Sequence, residues 1–452
     1  MAILRRGGHY ALLESALVMP GQAEWSFIAG PSRATLYTDE QGTRLERDGR
    51  VVQRWDRALD ALHDIEGDSA RRVVDSECPA GMGLVGGWVG VLGYDLVREL
   101  ERLAMQAAID PPLPTMWWMA VDQVLAYHHP SGRWWHSTLS GPADRWPWTD
   151  KDRPRVWADT VARARGPVPP RRHWSAGGRQ QRMSRPQFEQ GVSRIRESIA
   201  DGEVLQVNLT RREDAPFDGD AWSLYEDLMQ GHPAPFAAFL EGPGFAIASG
   251  SPERFLHLRN GRVQARPIKG TAARGASEAE DARQRQWLAA SEKNRAENLM
   301  ITDLMRNDLG RVAQIGSVCV PELFALEPHA SVWQMVSTVQ AQLRPECGAA
   351  DLLRACWPPG SMTGAPKRKA MEIIERLEPL RRGFYAGSIG YLDCRGGMDL
   401  SVVIRTAIVA EGRVMVQVGG GIVADSQPAS EWDETLAKGD RLMQAIDQRG
   451  AG

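Results

Sequence analysis

The sequence predicts an α+β fold with largely antiparallel sheets. Helix-like and strand-like patterns come in blocks, without the strict βαβ alternation of a parallel sheet. Three strand-like runs, "GSIGYLD", "LSVVIRTAIVA" and "RVMVQVGGGIV", follow one another late in the chain. The length of 452 residues exceeds what one core usually fills, so two lobes or domains are expected.

The elements follow in order. The first ~140 residues read as short strands and turns. "GGWVGVLGYDLVRELERL" is a Gly-rich strand running into a helix, and "VDQVLAYHHPSGRWWHSTLSG" is two strands around the Pro130-Ser131-Gly132 turn. His128 and His129 adjoin that turn and are expected exposed. From Gly141 to Arg182 the composition shifts to Pro, Gly and Arg, with one short helix over 157–165. This divides the chain into an N-terminal region (1–165), a linker (166–183) and a C-terminal domain (184–452). Ser184 then reads as an N-cap with Pro186 in the first turn, and Phe188, Val192, Ile195 and Ile199 follow at helical spacing. Val204 to Thr210 reads as a strand. One long helix is expected from Trp287 to Leu309, closed by Gly310.

Composition excludes several classes. The 43% hydrophobic and 25% charged fractions are those of a soluble globular protein. A net charge of −3 gives no pull toward nucleic acid or an acidic membrane surface. No apolar run approaches the ~20 residues of a membrane span. Glu14 interrupts the apolar start, which makes a poor signal peptide. Cys78, Cys319, Cys347, Cys356 and Cys394 are scattered, forming neither an even disulfide set nor a CxxC site, so a reducing cytoplasm is expected.

Several residues are candidates for chemistry. Lys269 in "RPIKGT" lies between a strand pattern and a turn, and is either a surface charge or a nucleophile. Glu431 and Glu434 in "SEWDETL" share one helix face, and Glu297 lies on a long amphipathic helix. Such acids are either solvated or hold an oxygen-liganded cation such as Mg²⁺. Ser361, Thr363 and Gly364 in "PPGSMTGAPKRKAMEII" stand where a helix begins, with Lys367 and Lys369 just inside, a place suited to a carboxylate. The Walker pattern is absent, which disfavours nucleotide binding. Gly419, Gly420 and Gly421 read as a tight turn that admits a ligand or simply a hairpin. Arg405, inside an apolar strand, needs an internal partner or a ligand carboxylate.

"RPIKGT", "AENLMITDLMRNDLGRV", "PPGSMTGAPKRKAMEII", "VVIRTA", "GGGIVADS" and "SEWDETLAK" occur together in this order. The chain thereby resembles the chorismate-utilising enzymes: anthranilate synthase component I, aminodeoxychorismate synthase component I, isochorismate synthase and salicylate synthase. The match covers residues 184–440. The region 1–165 is similar to anthranilate synthase component I more loosely, through "LLESA" and "GGWVGVLGYDL". The resemblance implies a two-lobed fold in which antiparallel sheets form a sandwich flanked by helices, with 184–452 as the chorismate-binding catalytic domain.

Within the family, Gln206 stands where isochorismate and salicylate synthases carry the lysine that activates water. "PIKGT" replaces the "PIAGT" of anthranilate synthases, and "HPAPFAAFL" replaces their NPSPY. These features resemble the aminodeoxychorismate synthase branch, with anthranilate synthase as the alternative and a non-catalytic amidotransferase-binding subunit as a more distant one. The branch implies Lys269 as covalent nucleophile and Glu253 as general acid. It implies Mg²⁺ on Glu297 and Glu434, with Glu431 acting through water. Arg405, Tyr385, Gly421, Ser361, Thr363, Gly364, Thr271 and Lys438 are implied as substrate contacts. Asn294 stands where relatives carry an acid, and Gln334 where anthranilate synthases carry a catalytic histidine. A separate glutamine amidotransferase subunit is implied as ammonia source, since no glutaminase Cys-His arrangement is visible. "LLESA", residues 12–16, resembles part of a tryptophan pocket, leaving a bound tryptophan, an inhibitor or a plain strand as alternatives.

Overall fold

The computed structural model describes residues 9–32, 34–70, 78–104, 106–139, 162, 171–329 and 332–450. Apart from residue 162, the helix expected over 157–165 lies outside them. Helices and two large antiparallel sheets make up the fold, as the sequence predicts.

Each sheet has twelve strands among the described residues. Sheet one runs in space from Trp174–Ala176 through Gln206–Gly219, Arg413–Ile422, Thr406–Ala410, Phe245–Ser251 and Phe236–Gly242 to Ala11–Glu14, Trp25–Ala29, Gln123–His128 and Arg133–Thr138. Sheet two runs from Ile268–Ala273 through Val332–Gln342, Arg262–Ala265, Arg254–Arg259, Met398–Val402 and Ser388–Asp393 to Gly87–Leu92, Met116–Val121, Ala34–Asp39, Gly42–Arg47 and Arg50–Trp55. Segments from both sides of 166–183 therefore share both sheets. Ala11 faces Leu240 in sheet one, and Gly90 faces Gly390 in sheet two. Within 166–183, Trp174–Ala176 and Gln180–Gln181 pair with Gln206–Gly219 as strands.

The sheets pack face to face over Phe27, Val89, Val91, Trp117, Leu240, Phe245, Ile247, Phe384 and Ile389, all buried. Alternating strands bury one side-chain row inward, and each buried Val, Leu or Phe contributes roughly 1.5–3 kcal/mol. Helices cover the outer faces. Glu292–Gly310 and Ala349–Cys356 lie on sheet two, while Ala221–Gly231 and Pro428–Gly450 lie on sheet one.

The helix Arg185–Ala200 begins as expected, with Ser184 and Gln187 forming a capping box. Four expectations are corrected. The expected 287–309 helix is two, Glu278–Ala290 and Glu292–Gly310, because Ser291 turns extended and caps the second. Gly310 continues that helix instead of closing it. The run "LSVVIRTAIVA" is broken at 403–405, where the chain leaves sheet two for sheet one. His128 and His129 are half-buried, and His129 Nε2 lies 2.7 Å from Ser26 Oγ.

Candidate active site

The site lies where the two sheets approach each other. Lys269 sits on the end strand of sheet two, Ile268–Ala273, whose register against Val332–Gln342 shifts between Ile268 and Thr271. Gly270 follows at φ +94°, in the region glycine reaches without strain. Such a bulge re-aims a side chain, and Lys269 turns toward sheet one. A first side-chain carbon at Gly421 would lie 3.5 Å from Lys269 Nζ and 2.2 Å from Gln206 Nε2. Any larger residue there would push the Gln206 side chain aside. Gly419–Gly421 are not the expected turn but the end of strand Arg413–Ile422, paired with Thr210, Leu209 and Asn208. Their missing side chains open the space that Lys269 enters.

Burial pushes the Lys269 amine below its ordinary pKa. Glu297, Glu253 and Glu434 oppose this, while Lys438 reinforces it. Lys269 thus stands among the carboxylates that the motifs singled out.

Two helices supply these acids. Glu297 comes from Glu292–Gly310, and Glu431 and Glu434 come from one face of Pro428–Gly450. A carbon built on Gly420 would lie 3.4 Å from Glu431 Oε2, 3.7 Å from Glu434 Oε1 and 3.7 Å from Lys438 Nζ. Burial raises the pKa of Glu297 and of Glu431, the latter against the Ser426 hydroxyl, which donates to it at 2.6 Å. Burial raises Glu434 too, but Lys438, 2.5 Å away, outweighs it and the net shift is downward. These are the oxygen donors that a hard cation such as Mg²⁺ takes. Among the described residues no three His, Cys, Asp or Glu side chains form a ready-made ligand set. The donors fit such an ion in kind, provided that Lys438 releases Glu434.

Glu253 is buried, just before strand Arg254–Arg259. Burial pushes its pKa up to about 7, although it accepts hydrogen bonds from the Ser361 hydroxyl and the Ile268 backbone N–H and feels Lys269 and Arg405. Arg405 is not inside a strand. It sits at the sheet-to-sheet crossover with φ +50°, its side chain exposed. Ala386, beside Tyr385, also lies in the left-handed region at φ +62°. Non-glycine residues held there cluster at functional sites. Tyr385 is buried, and burial raises its hydroxyl pKa.

The Ser361–Gly364 turn does not open a helix directly. Gly360–Met362 is a 3₁₀ turn, and Gly364–Ala365 pairs with Gln206–Val207 before helix Lys367–Leu377 begins. Gly364 has φ +145°, and a carbon on it would meet Gln206 O at 2.1 Å. Lys367 points away from the turn's front. Its ammonium donates to Asp308 Oδ2 at 2.6 Å, Cys356 O at 2.8 Å and Pro358 O at 3.1 Å. Lys369 pairs with Glu203. Thr271 is exposed on the Lys269 strand opposite Gln334, and Lys438 is half-exposed and bonds Gly419 O at 3.2 Å.

Sequence reasoning named Gln206 and Gln334 as departures from relatives but missed Asn208, and missed that the three amides are buried together with unsatisfied atoms. Both polar atoms of Gln206, Asn208 Oδ1 and Gln334 Oε1 are buried without a protein hydrogen-bond partner. Buried polar groups are nearly always satisfied, so these mark polar space for a ligand or water. Gln206 and Asn208 alternate on one strand, which puts both on the site face. That signal was available in "LQVNL" once the strand was known. Elsewhere, residues 13–15 line a separate cavity of about 670 Å³ with Pro235, Arg254 and Tyr391, and none of the candidate catalytic residues reaches it.

Known proteins similar in sequence and fold place the chain in a family. The sequence profile of the chorismate binding enzyme family matches residues 15–444. The chain is 41% identical over 437 residues to aminodeoxychorismate synthase component 1 of Klebsiella aerogenes, covering 96% of this chain and 93% of that protein. It is 36% identical over 444 residues to anthranilate synthase component 1 of Pseudomonas aeruginosa, covering 96% and 89%. The crystal structure of anthranilate synthase component I from Streptococcus pneumoniae superposes with a TM-score of 0.80 at 28% identity, covering 94% and 93%. The chain is an enzyme of the chorismate binding family.

Proposed function

We propose that the chain converts chorismate and ammonia to 4-amino-4-deoxychorismate, with the ammonia supplied from glutamine by a partner amidotransferase subunit. The observation that carries this reading is Lys269, turned by a bulge into the space beside Gly421 and held below its ordinary pKa by burial. An amine kept partly neutral is a nucleophile. Identity to a relative named for this activity supports the reading.

Replacing the C4 hydroxyl with retained configuration takes two displacements. The Lys269 nitrogen forms a bond to C2, both conjugated ring double bonds shift by one position, and the C4–O bond breaks. Glu253, with a pKa of about 7, gives its proton to the departing oxygen and leaves as carboxylate. That carboxylate takes a proton from the alkylated lysine nitrogen. Ammonia then bonds to C4 and the C2–N bond breaks. Glu253 returns its proton to the departing lysine nitrogen and recovers one from the new C4 ammonium. Glu297 and Glu434, with Glu431 beside them, would hold Mg²⁺, which would supply positive charge to neutralise and orient the ring carboxylate. Arg405, Tyr385, Gly421, Thr271, Lys438 and the Ser361–Gly364 turn hold the substrate's carboxylates. Gln206 offers an amide with no proton-accepting nitrogen, which leaves water unactivated.

The test is the product made from chorismate, ammonium and Mg²⁺. A non-fluorescent amine product supports the reading, and fluorescent anthranilate overturns it. The second reading, anthranilate synthase component I, is favoured by the 36% identity. Gln334, which carries no titratable group, counts against it. The cavity lined by residues 13–15 is proposed to take tryptophan, and calorimetric titration with the amino acid checks this.

A further inference from the structure

Behind the Ser361–Gly364 turn lies a buried ion pair that the proposed reaction does not use. Arg382 and Glu378 are 1% and 4% exposed. They join through two bonds, Nη2 to Oε1 at 2.6 Å and Nε to Oε2 at 2.9 Å. The remaining donors of Arg382 go to main chain: Nη1 to Met362 O at 2.6 Å and Nη2 to Asn208 O at 2.8 Å. Glu378 Oε1 accepts from Thr210 N at 2.9 Å and Thr210 Oγ1 at 2.8 Å. Gln417 Nε2 donates to the same hydroxyl at 2.7 Å.

Met362 lies between Ser361 and Thr363 in that turn. Asn208 and Thr210 continue the strand that carries Gln206. Asn208 closes the loop, donating from its backbone N–H to Thr363 O at 2.7 Å and from Nδ2 to Ser361 O at 3.2 Å. One planar guanidinium therefore fixes the turn and the Gln206 strand relative to each other. A buried ion pair is seldom retained for stability alone, because well-packed apolar residues often do as well. Its rigid fork suits it to hold several acceptors in fixed geometry.

We propose that the Glu378–Arg382 pair is a positioning device that aims the Ser361–Gly364 turn at the substrate's carboxylate and at Glu253. This deepens the proposed function and rests on that reading. Arg382 touches neither substrate nor reacting atoms and acts through the turn. Arg382→Lys keeps the charge but cannot reach Glu378, Met362 O and Asn208 O together. Glu378→Gln keeps the shape and removes the anion.

The test is steady-state kinetics of wild type and both variants with chorismate, ammonium and Mg²⁺, alongside thermal melts. The expected result is a KM for chorismate raised about tenfold or more with kcat within about threefold, the mark of lost binding rather than lost chemistry. With Ser361 displaced, Glu253 loses a bond to its charged form. The alkaline limb of the kcat profile should then move to higher pH, a change that lowered stability cannot produce. A folded variant with wild-type KM and an unmoved limb overturns the proposal, whatever its melting temperature. If neither charge variant folds, Thr210→Val decides: it keeps both charges and removes one anchor of Glu378. A KM raised about two- to threefold supports positioning, and an unchanged KM overturns it. If wild type itself leaves chorismate unconsumed, the parent reading has failed instead.

Discussion

The backbone N–H of Ile268, the residue immediately before Lys269, favours the charged form of Glu253 and so opposes the burial that raises its pKa. The proposed acid and the proposed nucleophile are thus fixed to the same strand start. Their separation does not depend on two flexible side chains finding each other.

If Lys269 is the nucleophile, Lys269→Ala loses product formation by about a thousandfold and still folds by circular dichroism. Surface lysines away from special features change stability by only about 0.5 kcal/mol. Intact-protein mass after incubation with chorismate and Mg²⁺, without ammonia, should show an adduct on wild type that digestion places on Lys269. The alanine variant should show none.

Glu253→Gln should lower kcat by about 10²–10⁴, the usual worth of a general acid. Its stability should move the other way. A folded pKa of about 7 exceeds the ordinary 4.5, so the folded state holds its proton more tightly than the unfolded state. That contribution is fully present below about pH 4.5 and is lost as pH rises through 7, a cost on the order of 3 kcal/mol. Glutamine removes this cost. Melts at pH 5 and pH 8 should show the variant gaining on wild type at the higher pH, while wild-type turnover, measured at a fixed concentration of free ammonia, falls as pH rises through 7.

Removal of Mg²⁺ with EDTA should abolish turnover, and Glu297→Gln or Glu434→Gln should do so at low Mg²⁺ without unfolding. Burial raises the pKa values of Glu297 and Glu431, so protons compete with the ion more readily than at exposed carboxylates. Calorimetric Mg²⁺ affinity should fall as pH is lowered. Near-normal activity of Glu434→Gln would reassign the site.

The isolated chain should use ammonium salts through the free ammonia they contain, and glutamine only with a partner subunit added. Glutamine turnover by the chain alone would contradict this.

Lys367→Met should cost about 3–5 kcal/mol, because it leaves Asp308 buried and unpaired. Burial already raises the Asp308 pKa. Without its lysine that pKa climbs further, so the melting deficit should be larger at pH 8 than at pH 5.

The motifs made Lys269, Glu253, Glu297, Glu431 and Glu434 stand out as candidates, because each lies in a short stretch whose residue types are constrained together. The antiparallel character of the sheets was legible from blocks of strand pattern. The crossover at 403–405 was not: the apolar run is continuous on both sides, and the break exists only because the flanking strands join different sheets. Ser291 was read through because a serine within a helical pattern is tolerated, and only its extended backbone and capping bond mark a break. The Glu378–Arg382 pair is, by sequence, only an i, i+4 pair just past the helix Lys367–Leu377. What distinguishes it is burial among segments more than a hundred residues away, which no local window contains.

The interlacing of the sheets bears on how the chain is made. Gly87–Leu92, an apolar strand, pairs on one side with Ser388–Asp393. At ~5–20 residues per second, a ribosome releases the first of these roughly 15–60 s before the second. During that wait the central strand presents an open row of amides and carbonyls beside an apolar face, the arrangement that invites pairing with a neighbouring nascent chain. Only Met116–Val121, emerging within seconds, shields the other edge early. Yield in a cell should therefore depend on chaperone supply and slow initiation more than on the stability of the finished enzyme.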